Sequence, residues 1–283
     1  MLQAQTISCR DMQFSADLAG PPDGQLVLFL HGFPQTRYTW RAELPAVAAL
    51  GYRCCAFDQR GYSPGARPDD IASYVMEELI ADVLGIADYL GYETFHLVGH
   101  DWGGQLAWCT AALHPSRIKS LAVISRPHPG AFLHALANDP QQAERSGHHR
   151  RFQAINAADE LLADDARTLR KMYVDWGGVP AGDAEAYLAT LGNRQALNAA
   201  INWYRAVGQT SIDLAQLPGI EAPTMYVWGT ADTTVGEMAA QATGAQIPGP
   251  YTFHELPEVG HFVTDQVPGV FTKLLAQHLQ GLR

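Results

Sequence analysis

A chain of 283 residues, 47% apolar and only 17% charged, can bury the core of one large α/β domain with an insertion and is neither a disordered chain nor a coiled coil. Its formal net charge of −10 repels phosphate backbones and argues against nucleic acid as a partner. No apolar run approaches the length of a membrane helix, and the N-terminus lacks a basic region followed by an apolar core, so the expectation is a cytoplasmic protein with no membrane partner.

Residues 6–20 read as two short strands with a turn near Asp11. A buried strand over 25–30, built on Val27-Leu28-Phe29-Leu30, ends at His31-Gly32-Phe33-Pro34. Residues 40–50 carry apolar positions at helical spacing. Residues 53–57 form another buried strand, in which Cys54 and Cys55 should face opposite sides and so cannot pair. Those two, with Cys9 and Cys109, show no metal-ligand spacing. Residues 74–90 place Val75, Leu79, Ala81, Leu84 and Ala87 on a helical face. A short strand, Phe95-His96-Leu97-Val98, is followed by a helix over 105–113 and a strand over 120–125. The pattern then breaks at Arg126-Pro127-His128-Pro129-Gly130. Up to about residue 216, helices are legible over 141–154, 157–176, 184–191 and 195–207, with no buried strand. Strands resume at 225–228 and 251–256, and a last helix spans 268–280.

Strands alternating with helices predict an α/β fold with a mostly parallel central sheet flanked by helices. The expected division is a core of residues 1–127 and 217–283 and an inserted helical cap of 128–216. Such a cap would sit over the carboxyl ends of the strands, where open α/β sheets bind ligands. A long crossover without a binding role is the alternative.

Gly99-His100-Asp101-Trp102-Gly103-Gly104 puts Asp101 on a tight turn from strand to helix, with glycines where neighbouring backbones crowd. A hydrolase of esters would carry serine there. A carboxylate is ionised at pH 7 and needs no base to activate it, so Asp101 suits displacement at an sp3 carbon, leaving an ester on the enzyme. Water must then cleave that ester and needs a base. His261, in the loop after the last strand, is the candidate, oriented by Asp232 in the loop after the strand at 225–228. Asp265 and Glu258 are rivals for the orienting acid. The backbone N–H groups of Phe33 and Trp102 are the expected oxyanion donors, with Pro34 fixing the first loop through an expected cis bond.

His31-Gly32-Phe33-Pro34 together with Gly99-His100-Asp101-Trp102-Gly103-Gly104 resembles the epoxide hydrolases of the α/β-hydrolase fold, over nearly the whole chain. In that family two cap residues, usually tyrosines, protonate the opened epoxide oxygen. Asn202-Trp203-Tyr204-Arg205 looks like the second-tyrosine motif, which carries the role onto Tyr204. A phenol with a pKa of about 10 donates to a forming alkoxide yet stays protonated at rest. Where the first tyrosine is expected, Ser146-Gly147-His148-His149 places His148, with His149 as the alternative. Some bacterial epoxide hydrolases carry such a histidine–tyrosine pair, although their oxyanion and elbow motifs differ from those here. A histidine offers an N–H in either protonation state.

The resemblance implies no metal or organic cofactor and a small epoxide substrate. Trp176 and Trp203, with Trp102 and Phe33, suggest that the substrate is apolar. Haloalkane dehalogenases share the Asp–Trp elbow but usually have an asparagine where Phe33 stands. Fluoroacetate dehalogenases carry arginines just after the nucleophile, where Trp102, Gly103, Gly104 and Gln105 follow here. A noncatalytic ligand-binding protein should have lost part of the triad. These remain the alternatives, and the oligomeric state is not legible.

Overall fold

A computed structural model describes residues 2–282. Eight strands form one sheet: β1 (Gln3–Cys9), β2 (Met12–Ala19), β3 (Leu26–Leu30), β4 (Arg53–Phe57), β5 (Phe95–His100), β6 (Ile118–Ile124), β7 (Thr224–Gly229) and β8 (Tyr251–Leu256). Their order across the sheet is β1-β2-β4-β3-β5-β6-β7-β8. β2 runs antiparallel to both β1 and β4; all other neighbours are parallel. The order reverses between β3 and β5, so the loops leaving their carboxyl ends lie side by side, the usual place for a ligand crevice.

Alternate residues of the central strands enter opposite faces, as the two-residue period of a strand dictates. Leu26, Leu28, Leu30 and Cys55 join one core, Val27, Phe29, Cys54 and Ala56 the other. The four cysteines are free and buried. Helices α1 (Glu43–Ala49), α2 (Met76–Tyr89) and α3 (Trp102–Leu113) cover the sheet. α2 and α3 pack on the first face through Leu79, Val83 and Leu106, and α1 on the second through Leu44 and Val47.

Between β6 and β7 the chain is helical: α4 (Pro129–Asn138), α5 (Pro140–Arg145), α6 (His148–Phe152), α7 (Ala157–Lys171), α8 (Ala181–Leu191) and α9 (Arg194–Arg205). α10 (Glu237–Ala242), α11 (Val263–Gln266) and α12 (Pro268–Gln280) complete the fold. The expected helix over 141–154 is two short helices with Ser146 and Gly147 between them. The expected helix over 157–176 is interrupted at Ala163–Ala166, where Asp164, Asp165 and Ala166 have φ of 53, 58 and 55°, and closes in a π turn at Met172–Trp176. α4 stands where the prolines read as a break. Pro129 occupies its first turn, and the His128 side chain accepts from the Gly130 N–H as a cap. No helix among the described residues is long and apolar enough to cross a membrane.

Candidate active site

β5 ends at His100 and α3 begins at Trp102, so the turn between them falls on Asp101 alone. Its φ of 51° and ψ of −118° lie outside the regions favoured by side-chain-bearing residues, and surrounding contacts must hold it there. The Asp101 N–H donates to the Ile124 carbonyl at 3.3 Å, and the Asp101 carbonyl accepts from the Gln105 N–H at 2.9 Å. The neighbouring backbones leave no room for side chains. A Cβ on Gly103 would lie 2.2 Å from the Leu30 carbonyl oxygen, and one on Gly32 would lie 2.4 Å from the Asp101 Cβ. The loop after β3 therefore presses directly on the aspartate.

That approach brings the Phe33 N–H to Asp101 Oδ1 at 2.9 Å. The Phe33–Pro34 peptide is cis. The other carboxylate oxygen, Oδ2, lies 3.4 Å from His261 Nε2. His261 Nδ1 donates to Asp232 Oδ2 at 2.9 Å. Trp102 opens α3, and a helix gives its first N–H groups no intrahelical acceptor. Asp265 and Glu258 stand elsewhere: Asp265 accepts from Arg41, Gln35 and Tyr187, and the Glu258 N–H donates to Thr230.

Three further residues support this group. Thr234 Oγ1 lies 2.8 Å from both Asp232 Oδ1 and His261 Nδ1, and Arg145 donates to the Asp232 carbonyl. His100 Nε2 donates to the His261 carbonyl at 2.9 Å, which ties the elbow strand to the histidine loop. His100 lies within the elbow motif, where it could have been singled out; Thr234 and Arg145 could not.

The electrostatics follow from two carboxylates flanking one imidazole. Burial would raise the Asp101 carboxyl, but the hydrogen bond and charge of His261 and the Phe33 N–H outweigh it and hold the carboxyl well below its usual range. Asp232 is likewise lowered: burial opposes ionisation, while the His261 charge and the Thr234 bonds favour it. Burial disfavours the imidazolium of His261, yet the Asp232 charge and the bonds to both carboxylates raise its pKa to about 10.

A cavity of about 210 Å³ opens over this group. Its walls include Phe33, Asp101, His148, Trp176, Tyr204 and His261. Tyr204 is buried, its ring edge-on to Phe33 at 5.4 Å, Trp102 at 5.1 Å and Phe152 at 5.0 Å. Burial and the nearby Asp101 charge push its phenol well above the ordinary value, so it is protonated. Trp176 is 62% exposed, which places it at the rim. His149 is absent from this wall and lies with its ring 6.1 Å from that of Trp102.

Two expectations need correction. Trp203 does not line the Asp101 cavity: it is buried, and its Nε1–H donates to the Arg60 carbonyl at 2.8 Å, which fastens α9 to the core. His148 does not offer a free N–H in both protonation states. Its Nδ1–H donates to the Arg145 carbonyl at 2.9 Å, so the neutral ring presents Nε2 as an acceptor and only the imidazolium has a second donor. Burial lowers its pKa, with the Arg145 carbonyl opposing.

Among the described residues no group of three or more His, Cys, Asp or Glu is placed to hold a metal ion. The arrangement is a buried carboxylate with one oxygen held by a backbone N–H and the other facing an imidazole, beneath a mostly aromatic cavity with a phenol in its wall.

Residues 25–266 match the family described as alpha/beta hydrolase fold. Epoxide hydrolase A of Mycobacterium tuberculosis is 32% identical over 306 residues, covering 93% of this chain and 93% of its own length. Epoxide hydrolase 4 of Mus musculus is 30% identical, covering 93% of this chain and 75% of its own. The crystal structure of epoxide hydrolase A from Mycobacterium thermoresistibile is similar at a TM-score of 0.87 and 28% identity, over 100% of this chain and 99% of that one.

Proposed function

The chain belongs to the alpha/beta hydrolase fold family, and from that premise we propose that it is an epoxide hydrolase that opens small apolar epoxides to vicinal diols through an ester on Asp101. The observation that carries this reading is the asymmetry of the Asp101 carboxylate, with Oδ1 on the Phe33 N–H and Oδ2 facing His261 beneath Tyr204.

In the first step Oδ2 attacks an epoxide carbon and the carbon–oxygen bond of the ring breaks. Tyr204 gives its proton to the departing oxygen, and His148 adds a second donor when it is an imidazolium. The product is a glycol ester whose carbonyl oxygen is Oδ1. In the second step water loses a proton to His261 and attacks Cγ. The negative charge gathers on Oδ1, which the Phe33 N–H already holds and the Trp102 N–H joins. Collapse breaks the bond between Cγ and Oδ2, the proton on His261 passes to the leaving oxygen, and the diol departs. The water's second proton leaves the new Asp101 carboxyl and, through solvent in the cavity, restores the Tyr204 phenol. Asp232 orients His261 and stabilises its cation. Residues 128–216 act as the cap that supplies Tyr204, His148 and Trp176, over a core of 1–127 and 217–283. No cofactor enters any step.

Intact mass of the His261→Gln variant after exposure to epoxides and, separately, to haloalkanes tests the reading. An adduct of the whole epoxide that maps to Asp101 is expected. An adduct of an alkyl group alone, with halide released, would make the protein a dehalogenase. No adduct on folded protein would overturn covalent catalysis by this carboxylate.

A further inference from the structure

A second cavity, of about 160 Å³, has Trp102, His149 and Trp203 in its walls but not Asp101. The Tyr204 ring, 5.1 Å from that of Trp102 and 5.3 Å from that of His149, stands between the two cavities. The lining of the second is overwhelmingly apolar. Leu133, Leu136 and Val207 belong to it and remain 38, 37 and 48% exposed, so the opening is ringed with apolar side chains.

One cation stands in this wall. Arg126 packs against the first turn of α3, where a Cβ on Gly104 would lie 3.0 Å from its own Cβ. Its guanidinium lies 3.9 Å over the Phe132 ring, and its Nε donates to Gln105 Oε1 at 2.9 Å. Among the described residues it forms no ion pair and no other side-chain hydrogen bond. An arginine in a protein keeps its charge; burial disfavours that charge, and Asp101, which acts on it without forming an ion pair, offsets only part of the cost. Gln105 and Phe132 fix the plane of the fork and leave its terminal nitrogens without a protein acceptor.

We propose that this cavity is a binding site for an amphipathic carboxylate, its head on Arg126 and its apolar tail running out past Leu133, Leu136 and Val207. A planar guanidinium pairs with a carboxylate through two parallel hydrogen bonds, which a neutral head cannot reproduce. A cavity of roughly 150 Å³ takes a benzene-sized group, so a phenyl or short alkyl tail fits. The site is separate from the Asp101 cavity and its occupancy does not depend on ring opening.

Calorimetric titration of the intact protein with 4-phenylbutyrate, and with its neutral amide, tests this. The acid should bind at least tenfold more tightly than the amide, as the loss of one charge-assisted pair dictates on the order of tenfold. Arg126→Met should weaken the acid by about the same factor. Leu136→Trp, which fills the opening without touching the charge, should weaken acid and amide alike and decides the matter if Arg126→Met does not fold. Arg151→Gln, at the wall of the Asp101 cavity, should change nothing. Equal binding of acid and amide, unchanged binding by folded Arg126→Met, or loss on Arg151→Gln would each overturn the proposal, as would no binding of the acid at all.

Discussion

Gly32→Ala adds one methyl group where the loop after β3 meets Asp101, the proposed nucleophile. The new Cβ would lie 2.4 Å from Asp101 Cβ and 2.6 Å from Oδ1. Carbon atoms in contact sit at about 3.5–4.0 Å, so the loop or the aspartate must retreat by about 1 Å. Gly32 does not have a positive φ, so the cost comes from this contact and not from the backbone. Overpacking of this kind costs about 1–3 kcal/mol, within the roughly 5–15 kcal/mol by which domains are stable, so the variant should fold. A displacement of about 1 Å at the reacting group costs on the order of 10²-fold in rate. Ester formation, followed by intact mass in a His261→Gln background, should therefore slow by about 10²-fold. Urea unfolding should show only the smaller loss of stability. Ester formation within about threefold of the parent, a change worth less than 1 kcal/mol, would show that the approach of Gly32 to Asp101 does not position the nucleophile.

Tyr204→Phe removes the phenol donor and should slow ester formation by about 10²–10⁴-fold while leaving ester breakdown within a few fold, measured by rapid quench; equal slowing of both steps would count against its assigned role. Ester breakdown needs neutral His261. Asp101 is one of the two charges that raise the His261 pKa to about 10, and esterification removes it. Breakdown should rise with pH through a midpoint below that of His261 in the free enzyme, compared by rapid quench and NMR titration; a midpoint at or above the free value contradicts this. Glu43 is buried in α1, where burial raises its carboxyl to about 8 against the hydrogen bond from Thr272. The folded state then holds more protons than the unfolded one between the ordinary glutamate value and about 8, so stability falls as pH rises across that window. Glu43→Gln should flatten this slope in urea titrations from pH 5 to 8, and an unchanged slope would assign it to other groups.

Elements whose chemistry is local were legible from the chain alone. β4, β8 and α12 keep the bounds that periodicity and flanking prolines imply. Asp101, Asp232 and His261 each follow a recognisable strand, and parallel strands bring such loops together. What escaped was fixed by side chains meeting across the fold. α4 begins with a proline that reads as a breaker until His128 is seen capping it. Trp203 and Tyr204 are adjacent and both aromatic, yet only Tyr204 faces Asp101, because the Trp203 N–H is committed to the Arg60 carbonyl. That His148 rather than His149 lines the Asp101 cavity depends on how α6 sits against Tyr204, and the Nδ1 bond of His148 depends on where the Arg145 carbonyl ends up.

The pinned Oδ1 also gives the carboxylate an isotopic memory one turnover deep. On the proposed mechanism each diol carries away the unpinned oxygen, and solvent refills that position. In heavy-oxygen water the first diol would therefore leave unlabelled and each enzyme's second diol would carry one heavy oxygen, in the hydroxyl taken from Asp101, for as long as the Phe33 N–H keeps the two oxygens from trading places. A carboxylate that rotates between turnovers would put that heavy oxygen in only half of the second diols. The isotope content of the second product is thus a clock for rotation about the Asp101 Cβ–Cγ bond, and a direct reading of how firmly one backbone N–H distinguishes two chemically identical atoms.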